Sequence, residues 1–490
     1  MHATHLPPIK AFLERPPRLL IDGAWTNDHH ENLFPSIDPG NKMFLANLLQ
    51  ADASDVDRAV VAARKAFRKT VSKLTGAGIG ALLWRLASLL ERDVELLAQI
   101  ESLDNGKPLR NARLDVQSAV HHLRYYAGWA DKLEGASIPV HDPRLLVYTR
   151  REPLGVVGLI VPWNFPLLMA IWKLAPALAC GNCCILKPAE STSLSALYLG
   201  DLILEAGFPS GMVQILTGDG RTGELLSHHM DINKVGFTGS TAVGRKIMAA
   251  SASSNLKRVS LELGGKSPNI IFKDAPMDQV KASLVWSSYY NSGQECTLGS
   301  RIYVQKEVAE PILDALAKGA TGLTLGYGLN DPDLGPLIHQ GQLDRVSSYV
   351  EEGKTKAELV FGGETAEIPN YDGFYFKPTL FYTNDASLAL VKEEIFGPVV
   401  TLSVFDEVEE VINLANATPY GLAAGVWSND LSKAMQVARH LEAGVVWING
   451  YDLFHPAVPF GGYKESGMGR EMGKSALELY TQEKAIWITT

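Results

Sequence analysis

The sequence predicts an α/β protein built around parallel sheets. From residue 156 onward, short runs rich in β-branched residues alternate with windows whose apolar residues recur at helical spacing. Such alternation is typical of a parallel sheet with helices on both faces, which binds ligands at the carboxyl ends of its strands. The chain has 490 residues, too many for one hydrophobic core, so we expect two or three domains.

Composition and charge exclude several classes of protein. Hydrophobic residues make up 46% of the chain and charged residues 20%, which is ordinary for a globular protein. The net charge of −9, without any basic stripe in the sequence, predicts no nucleic-acid partner. The longest apolar run, residues 167–186, is interrupted by Lys173, Pro176 and Gly181. It therefore predicts a buried helix and strand and no membrane association.

The cysteine content favours a reducing compartment. Four cysteines, of which Cys180, Cys183 and Cys184 are clustered, do not make the framework of a disulfide-stabilised protein. Neither a histidine nor a second Cys-x-x-Cys motif lies at ligand spacing from this cluster, so no metal site is predicted. The N-terminal residues lack the apolar segment of a secretory signal. We therefore expect a cytoplasmic protein.

The first third of the chain is predicted to be an arm followed by helices. Residues 1–50 are rich in proline and are expected to lie irregularly over the surface. Capping and stop signals then define three helices. The helices are predicted from Ser54 or Asp55, from about residue 80 to the stop at Asn105-Gly106, and over residues 116–130.

Two groups of strands are predicted after the helices. The strands of the first parallel sheet are expected at 156–161, 183–186, 213–216, 234–237, 258–263 and 269–272. A second α/β segment, 277–462, should contain strands at 300–304, 379–381, 399–405 and 445–448. Residues 144–151 and 485–490 alternate in the manner of edge strands and belong to neither group.

Two glycine-rich turns are candidates for binding phosphate. Residues 218–223 fit the pattern G-x-G-x-x-G, but they follow the third strand and no acidic residue lies at the distance that this pattern needs. The turn around Gly239 and Ser240 is better placed, because a strand ends there and a helix begins with free backbone N–H groups. A plain strand-to-helix turn is the alternative interpretation.

Lys187 and Glu190 directly follow the second strand. A dinucleotide-binding fold places the residues that bind the adenosine ribose at this point. The Glu190 carboxylate can accept hydrogen bonds from ribose hydroxyls, but it repels a 2′-phosphate. This favours NAD over NADP as the cofactor, and a surface ion pair is the alternative.

Cys296 lies between two glycines in a segment of small and polar residues. A lone cysteine is most often a buried core residue, but four other motifs change this interpretation. The motifs are Trp163-Asn164-Phe165-Pro166, Phe237-Thr238-Gly239-Ser240, Glu262-Leu263-Gly264-Gly265-Lys266 and Glu394-Ile395-Phe396-Gly397-Pro398. Together with Cys296 they resemble the NAD(P)-dependent aldehyde dehydrogenase superfamily, and the resemblance extends from about Asp55 to Gly467.

The resemblance implies a fold in three parts. These are a Rossmann-like parallel-sheet cofactor domain, an α/β catalytic domain and a small β oligomerisation segment. The expected bounds are 1–139 and 155–264 for the NAD-binding domain, 265–464 for the catalytic domain, and 140–154 and 465–490 for the oligomerisation segment. The edge-like stretches in this last part resemble strands through which family members form homodimers or homotetramers.

The resemblance also implies three catalytic residues. Hydride cannot leave a trigonal aldehyde carbon, so Cys296 would first add to it and give a thiohemiacetal; loss of hydride would then give a thioester. The Asn164 amide and the Cys296 backbone N–H would stabilise the oxyanion. Glu262 would be the general base for the water that cleaves the thioester. Such a base argues against transfer of the acyl group to CoA.

Cofactor and substrate residues are implied in the same way. The cofactor-binding residues would be Trp163, Lys187, Glu190, Gly239, Ser240, Gly244, Gly264, Glu394 and Phe396, with Glu394 on the nicotinamide ribose and Phe396 flanking the ring. The substrate pocket would be lined by Phe165, Met169, Trp172, Glu295, Thr297, Phe454 and Phe460. Such an apolar, aromatic lining favours a hydrophobic aldehyde, such as phenylacetaldehyde.

Several alternatives stay open at this point. Phe165, Met169 and Trp172 share one helical face, so they could equally be ordinary core residues. Glu295 stands where the family usually has a neutral residue: its charge would oppose ionisation of the thiol unless its side chain points out, and it would suit a cationic aminoaldehyde. Leu298 stands where the family usually has a small residue. The chain could also be a non-catalytic relative or a thioesterase-like hydrolase.

Overall fold

The larger of two main sheets carries most of the predicted strands. A computed structural model describes residues 7–27 and 32–490, and within them this sheet has eight strands. Five central strands are parallel, and antiparallel strands extend the sheet at both edges. In spatial order the strands are Gly467–Met468, Arg258–Glu262, Lys234–Thr238, Val156–Ile160, Cys183–Lys187, Val213–Ile215, Leu19–Ile21 and Ala24–Thr26.

Helices pack against this sheet and against one another. The helix Pro166–Ala179 is buried along its whole length, and the strand Cys183–Lys187 follows it, as predicted for the long apolar run. The helices of this part are Pro7–Leu13, Ala53–Lys69, Gly76–Arg92, Val94–Asn105, Leu109–Ala127, Pro166–Ala179, Leu194–Ala206, Gly220–His228 and Thr241–Ser253.

The second main sheet has seven strands in the described part of the chain. All neighbours are parallel except the first pair. In spatial order the strands are Glu358–Phe361, Thr379–Tyr382, Val399–Phe405, Arg301–Gln305, Pro268–Ile271, Ala423–Trp427 and Val445–Ile448. The helices from this point on are Met277–Tyr289, Ala309–Thr321, Gln340–Lys354, Ala389–Lys392, Val408–Asn416, Leu431–His440 and Ser475–Leu479.

A third, antiparallel sheet projects from these two. Its strands are Thr481–Thr489, Leu145–Pro153 and Ser137–Ile138, and the two long strands pair along their whole length. A separate hairpin joins Leu33–Ile37 to Phe44–Leu49. No helix within 7–27 and 32–490 is long and apolar enough to cross a membrane.

Two predictions about the sheets were wrong. The strand expected at 269–272 was assigned to the first sheet, but Pro268–Ile271 lies in the second, between Arg301–Gln305 and Ala423–Trp427. The irregular arm expected over residues 1–50 is instead ordered in its described residues as a helix, two edge strands and a hairpin strand pair. Buried residues such as Leu20 and Leu48 anchor these elements to the core.

The helix boundaries also differ from the expected ones. Asp52 caps the first long helix, and Asp55 is the third helical residue, whose carboxylate accepts from the Asp52 N–H to complete a capping box. The helix expected from residue 80 is two helices that break at Asp93, whose side chain accepts from Tyr198. The helix expected at 116–130 is Leu109–Ala127. The predicted stop at Gly106 is confirmed by its left-handed φ of 90°.

Candidate active site

A cavity of about 710 Å³ opens at the carboxyl ends of three neighbouring strands of the larger sheet. These are the strands that end at Ile160, Thr238 and Glu262, which the sheet register aligns side by side. The predicted site residues that line the cavity are Trp163, Asn164, Phe165, Met169, Trp172, Gly239, Ser240, Glu262, Gly264, Glu295, Cys296, Thr297, Glu394, Phe396, Phe454 and Phe460. The structure thus brings together residues that are widely separated in the sequence.

Three predicted cofactor residues lie outside the lining of this cavity. Lys187 is buried at the end of its strand and pairs with the exposed Glu190 at 3.4 Å. Gly244 lies behind the wall, where an added Cβ would come within 2.7 Å of the Leu263 side chain. The turn at residues 218–223 does not line the cavity either. It packs elsewhere, where the Thr222 hydroxyl donates to the Ala51 carbonyl.

The backbone before Cys296 adopts a rare conformation. Asn291, Ser292 and Gly293 have successive positive φ values of 48°, 56° and 72°. Residues other than glycine seldom adopt this conformation, so the neighbouring structure must hold it in place. A Cβ added at Gly293 would lie 2.0 Å from the Gly397 carbonyl oxygen. Only glycine allows the nucleophile segment to approach the segment of Glu394 and Phe396 so closely.

Gln294 fixes the position of the next turn. Its side-chain Nε2 donates to the Pro336 carbonyl at 3.3 Å, and its Oε1 accepts from the Ile338 N–H at 2.9 Å. Its own carbonyl accepts from the Asn164 side chain at 3.1 Å. One hydrogen bond therefore joins the Asn164 amide to the backbone two residues before Cys296.

Asn164 is held from both sides. Its carbonyl accepts from the Asn291 side chain at 3.2 Å, and the Trp163 carbonyl accepts from the Asn105 side chain at 2.8 Å. The hydrogen bond from Asn164 to the Gln294 carbonyl uses one of the two amide hydrogens. The other hydrogen is available to a ligand, which is the requirement for an oxyanion donor.

Glu262 is a buried carboxyl at the end of its strand. Its Oε2 has no hydrogen-bond partner among the described residues. Burial raises the pKa of Glu262 well above its usual range, the charge of Glu471 raises it further, and Lys173 and Arg470 oppose the shift. Lys173 and Glu471 form a buried ion pair with each other. A carboxyl with a raised pKa is a stronger base once ionised, which suits proton abstraction from water.

The Cys296 thiol faces this acidic environment. Burial raises its pKa well above the usual range, and the charges of Glu295, Glu394 and Glu262 raise it further. All four cysteines are free, and Cys296 is the partly exposed one. The buried ones are Cys180, Cys183 and Cys184.

The Glu295 side chain points into the protein. It does not adopt the outward orientation that would keep its charge away from the thiol. The side chain is buried and lines the cavity. Burial, together with the charge of Asp452, raises the pKa of Glu295 well above its usual range. This shift moves Glu295 toward its neutral form, which would lessen the expected repulsion of the thiolate. Leu298 is buried and does not contribute to the lining.

A second part of the cavity is suited to an anion. The helix Thr241–Ser253 begins at this wall, and the Ser240 side chain accepts a hydrogen bond from a backbone N–H of its first turn. Thr238 has a buried hydroxyl without a partner among the described residues, and Arg245 lies in the lining. The positive end of the helix dipole and a cationic side chain could hold a pyrophosphate here.

Glu394 and Phe396 also line the cavity. The Gly265 N–H donates to Glu394 Oε1 at 2.9 Å, and a Cβ at Gly264 would lie 2.3 Å from Glu394 Oε2. Burial raises the pKa of Glu394 to about 7. The Phe396 ring meets the Trp163 ring edge-to-face, with centroids 5.1 Å apart. A carboxyl and an aromatic face are thus available to a ribose and a planar ring.

Aromatic rings line another part of the cavity. Trp172 packs against Phe460 with centroids 5.3 Å apart and against Phe454 at 6.3 Å. Phe165 stacks on Tyr290 at 6.1 Å. The rings line the cavity and are not confined to the core, so this part offers an apolar surface to a ligand.

Comparison with known proteins identifies the family. The aldehyde dehydrogenase family model matches residues 25–486. The chain belongs to the aldehyde dehydrogenase family. An aldehyde dehydrogenase of Aspergillus niger is 46% identical over 489 residues, which cover 99% of this chain and 98% of the relative.

Solved aldehyde dehydrogenases have the same fold. The NAD+ complex of the aldehyde dehydrogenase from Bacillus cereus is 45% identical, with a TM-score of 0.97 and 99% of both chains covered. Betaine aldehyde dehydrogenase from Staphylococcus aureus in complex with NAD+ is 37% identical, with a TM-score of 0.96, 99% of this chain and 97% of the other covered. The predicted fold class and the family resemblance are confirmed.

Several residues of this aldehyde dehydrogenase site were not found from the sequence. Asp115, Tyr290 and Glu471 line the cavity, while Lys173 and Asp452 contact lining residues. Lys173 gave the clearest signal, because a lysine inside a long apolar run indicates a buried partner. The sequence did not identify that partner as Glu471.

Proposed function

We propose that the chain oxidises aldehydes to carboxylic acids, with NAD as hydride acceptor and Cys296 as nucleophile. The arrangement of one cavity carries this proposal: a partly exposed thiol, an amide with a free hydrogen and a buried carboxyl with a free oxygen share its wall. NAD+ is bound in the solved relatives from Bacillus cereus and Staphylococcus aureus, which supports the cofactor. The direct test is NADH formation from an aldehyde in the absence of CoA.

The residues present fit a dinucleotide. The start of the helix Thr241–Ser253 and Arg245 would hold the pyrophosphate, and Glu394 would accept from ribose hydroxyls through the oxygen that the small Gly264 leaves accessible. Lys187 and Glu190 would bind the adenosine ribose just outside the cavity, and the carboxylate disfavours NADP. When bound, NAD supplies an acceptor for hydride.

Each of the three catalytic residues would act at its own step of the reaction. The Cys296 thiol first loses its proton to solvent, and the thiolate sulfur adds to the carbonyl carbon. The carbonyl oxygen becomes an oxyanion that accepts from the Asn164 amide and the Cys296 backbone N–H. Loss of hydride converts the thiohemiacetal into a thioester. Glu262 then removes a proton from water, which attacks the thioester. The carboxylic acid leaves, and the expelled Cys296 thiolate takes the proton back from Glu262 to restore the thiol.

Asn164→Ala is expected to lower kcat about 10²–10³-fold, because one oxyanion donor is removed while the nucleophile stays. KM should change little, since the amide contacts the substrate oxygen mainly after sulfur has added. The measurement is steady-state NADH formation together with a thermal unfolding curve. The curve serves as a control, because the variant also loses the hydrogen bond to the Gln294 carbonyl. An unchanged kcat would exclude Asn164 from this role.

We further propose that the substrate is a hydrophobic or aromatic aldehyde. The aromatic wall of Trp172, Phe454 and Phe460 supports this, because it offers apolar surface to the substrate. The kcat/KM for phenylacetaldehyde is expected to exceed that for succinic semialdehyde and betaine aldehyde by about tenfold or more. Hexanal, which is apolar without a ring, separates aromatic preference from general hydrophobic binding.

A cationic aminoaldehyde is the second candidate. The buried Glu295 carboxyl in the lining favours it, and so does the similarity to a betaine aldehyde dehydrogenase. The same kinetic comparison decides between the two candidates. A higher kcat/KM for betaine aldehyde than for phenylacetaldehyde would contradict the aromatic preference and leave the thioester mechanism intact.

We propose that the antiparallel sheet mediates homodimer or homotetramer formation. Its edge strand Thr481–Thr489 is largely exposed, with Trp487 61% and Leu146 on the paired strand 48% accessible. Trp487→Glu is expected to weaken assembly by about tenfold or more, as measured by analytical ultracentrifugation. Val61→Glu, at an equally exposed helical position, is the matched control. Equal assembly in both variants would contradict this interface.

Two further assignments are proposals of the same kind. We infer a cytoplasmic location, which the four free cysteines support. The domain division at residues 264 and 265 is supported by the change of sheet between Arg258–Glu262 and Pro268–Ile271.

A further inference from the structure

A buried carboxyl group, that of Glu295, and a partly buried one, that of Asp452, meet beside the nucleophile. The side chains of Glu295 and Asp452 lie within hydrogen-bonding reach of each other. Each has one buried oxygen without a partner among the described residues, Oε2 of Glu295 and Oδ2 of Asp452. Ionised carboxylates are acceptors only, so two of them in contact repel each other and satisfy neither oxygen.

Two hydroxyl donors of this cluster, those of Thr297 and Tyr451, are already used. The Thr297 hydroxyl donates to Asp452 Oδ1 at 3.1 Å. The Tyr451 hydroxyl donates to the Thr297 carbonyl at 2.8 Å, so it is not available to the carboxyl groups. A proton on one of the two carboxyl groups would supply the donor that they lack.

The charged groups around the pair do not neutralise it. Asp452 and Asp115 are the charges that act most strongly on Glu295, and both are acidic. Lys107, a neighbouring cation, is engaged with Asp115 at 2.5 Å and with Glu101 at 3.4 Å. The other titratable groups that sense Glu295 are the Tyr290 and Tyr451 hydroxyls and the Cys296 thiol.

We propose that Glu295 and Asp452 hold one proton between them and that this proton resides on Glu295. Glu295 is then a positioning residue: because it is neutral, only one negative charge, that of Asp452, lies near Cys296. Glu295 carries the proton because it is more deeply buried, while the Thr297 hydroxyl stabilises the Asp452 carboxylate. The pair then bears a single negative charge. A glutamate beside the nucleophile is tolerated because it is neutral and donates to Asp452.

The rate of alkylation of Cys296 tests this proposal without cofactor or aldehyde. Iodoacetamide reacts with the thiolate, so its rate reports the charge around the sulfur. Cys296→Ala gives the blank, and the three buried cysteines contribute little. Glu295→Gln replaces a neutral donor with another, so the rate at neutral pH should stay within about twofold of the wild type. Adding Asp452→Asn removes the remaining charge and should raise the rate about tenfold.

Two results would overturn the proposal. A tenfold faster reaction in Glu295→Gln alone would mean that Glu295 is ionised in the wild type. No increase on adding Asp452→Asn would mean that the pair carries no charge.

Infrared spectroscopy gives a second, positive measurement. Other buried carboxyl groups, such as Glu262 and Glu394, also have raised pKa values, so the measurement is the difference between the spectra of the wild type and Glu295→Gln at neutral pH. This difference should contain one carboxylic C=O band, and its absence would contradict the assignment to Glu295. Each variant enters the comparison only if its thermal unfolding curve shows a single native state. Should the double variant fail to fold, the infrared difference between the wild type and Glu295→Gln alone decides the question.

Discussion

Replacing Cys296 with alanine is expected to reduce aldehyde oxidation at least about 10⁴-fold, to the background rate. Without the sulfur, the aldehyde carbon stays trigonal and has no hydride that can leave. The other cysteines cannot substitute, since Cys180, Cys183 and Cys184 are buried within the larger core. The measurement is NADH formation from phenylacetaldehyde and hexanal without CoA.

Cys296→Ser is the matched variant for this experiment. It preserves size and a hydrogen-bonding group but offers a much weaker nucleophile, so it should be nearly as inactive as the alanine variant. NAD binding, followed by quenching of tryptophan fluorescence, should persist in both, because the residues proposed to bind the dinucleotide are untouched. Substantial NADH formation by Cys296→Ala would show that another group activates the aldehyde.

The sequence could predict most strands because each carries a local signal. Val399–Phe405 and Val445–Ile448 have the predicted bounds, since runs of β-branched residues are sufficient to mark a buried strand. The sheet to which a strand belongs carries no such signal. Pro268–Ile271 follows the first five strands directly in the chain but pairs with Ala423–Trp427, more than 150 residues later.

In the candidate site, too, the residues that could be predicted are those with a local signal in the sequence. Motif residues such as Asn164 and Glu262 could be predicted because they stand next to strand ends, and parallel strands place their carboxyl ends at one edge. The partner of Thr297, Asp452, is 155 residues away and lies in no motif. The orientation of Glu295 depends on that partner, so residue type alone could not predict that it would point inward.

Glu262→Gln is expected to lower kcat about 10²–10⁴-fold while a rapid burst of NADH, stoichiometric with the enzyme, is retained. The glutamine is isosteric but cannot accept a proton from water, so the thioester on Cys296 accumulates after hydride has left. Stopped-flow measurement of NADH separates the burst from the slow turnover. The pH dependence of turnover gives a further test. The base acts when it is deprotonated and burial raises its pKa, so wild-type turnover should rise with pH above the range in which an ordinary carboxyl group titrates.

The amide variant should lose that rise, because it has no group to deprotonate at this position. Hydroxylamine, which cleaves thioesters without a general base, should restore its turnover toward that of the wild type. The rescue distinguishes a missing base from a distorted site, since an enzyme that cannot form the thioester would not respond to the added nucleophile. If Glu262→Gln showed no burst, Glu262 would act before hydride transfer, most simply by accepting the proton of the Cys296 thiol, whose raised pKa would then be the barrier that it lowers.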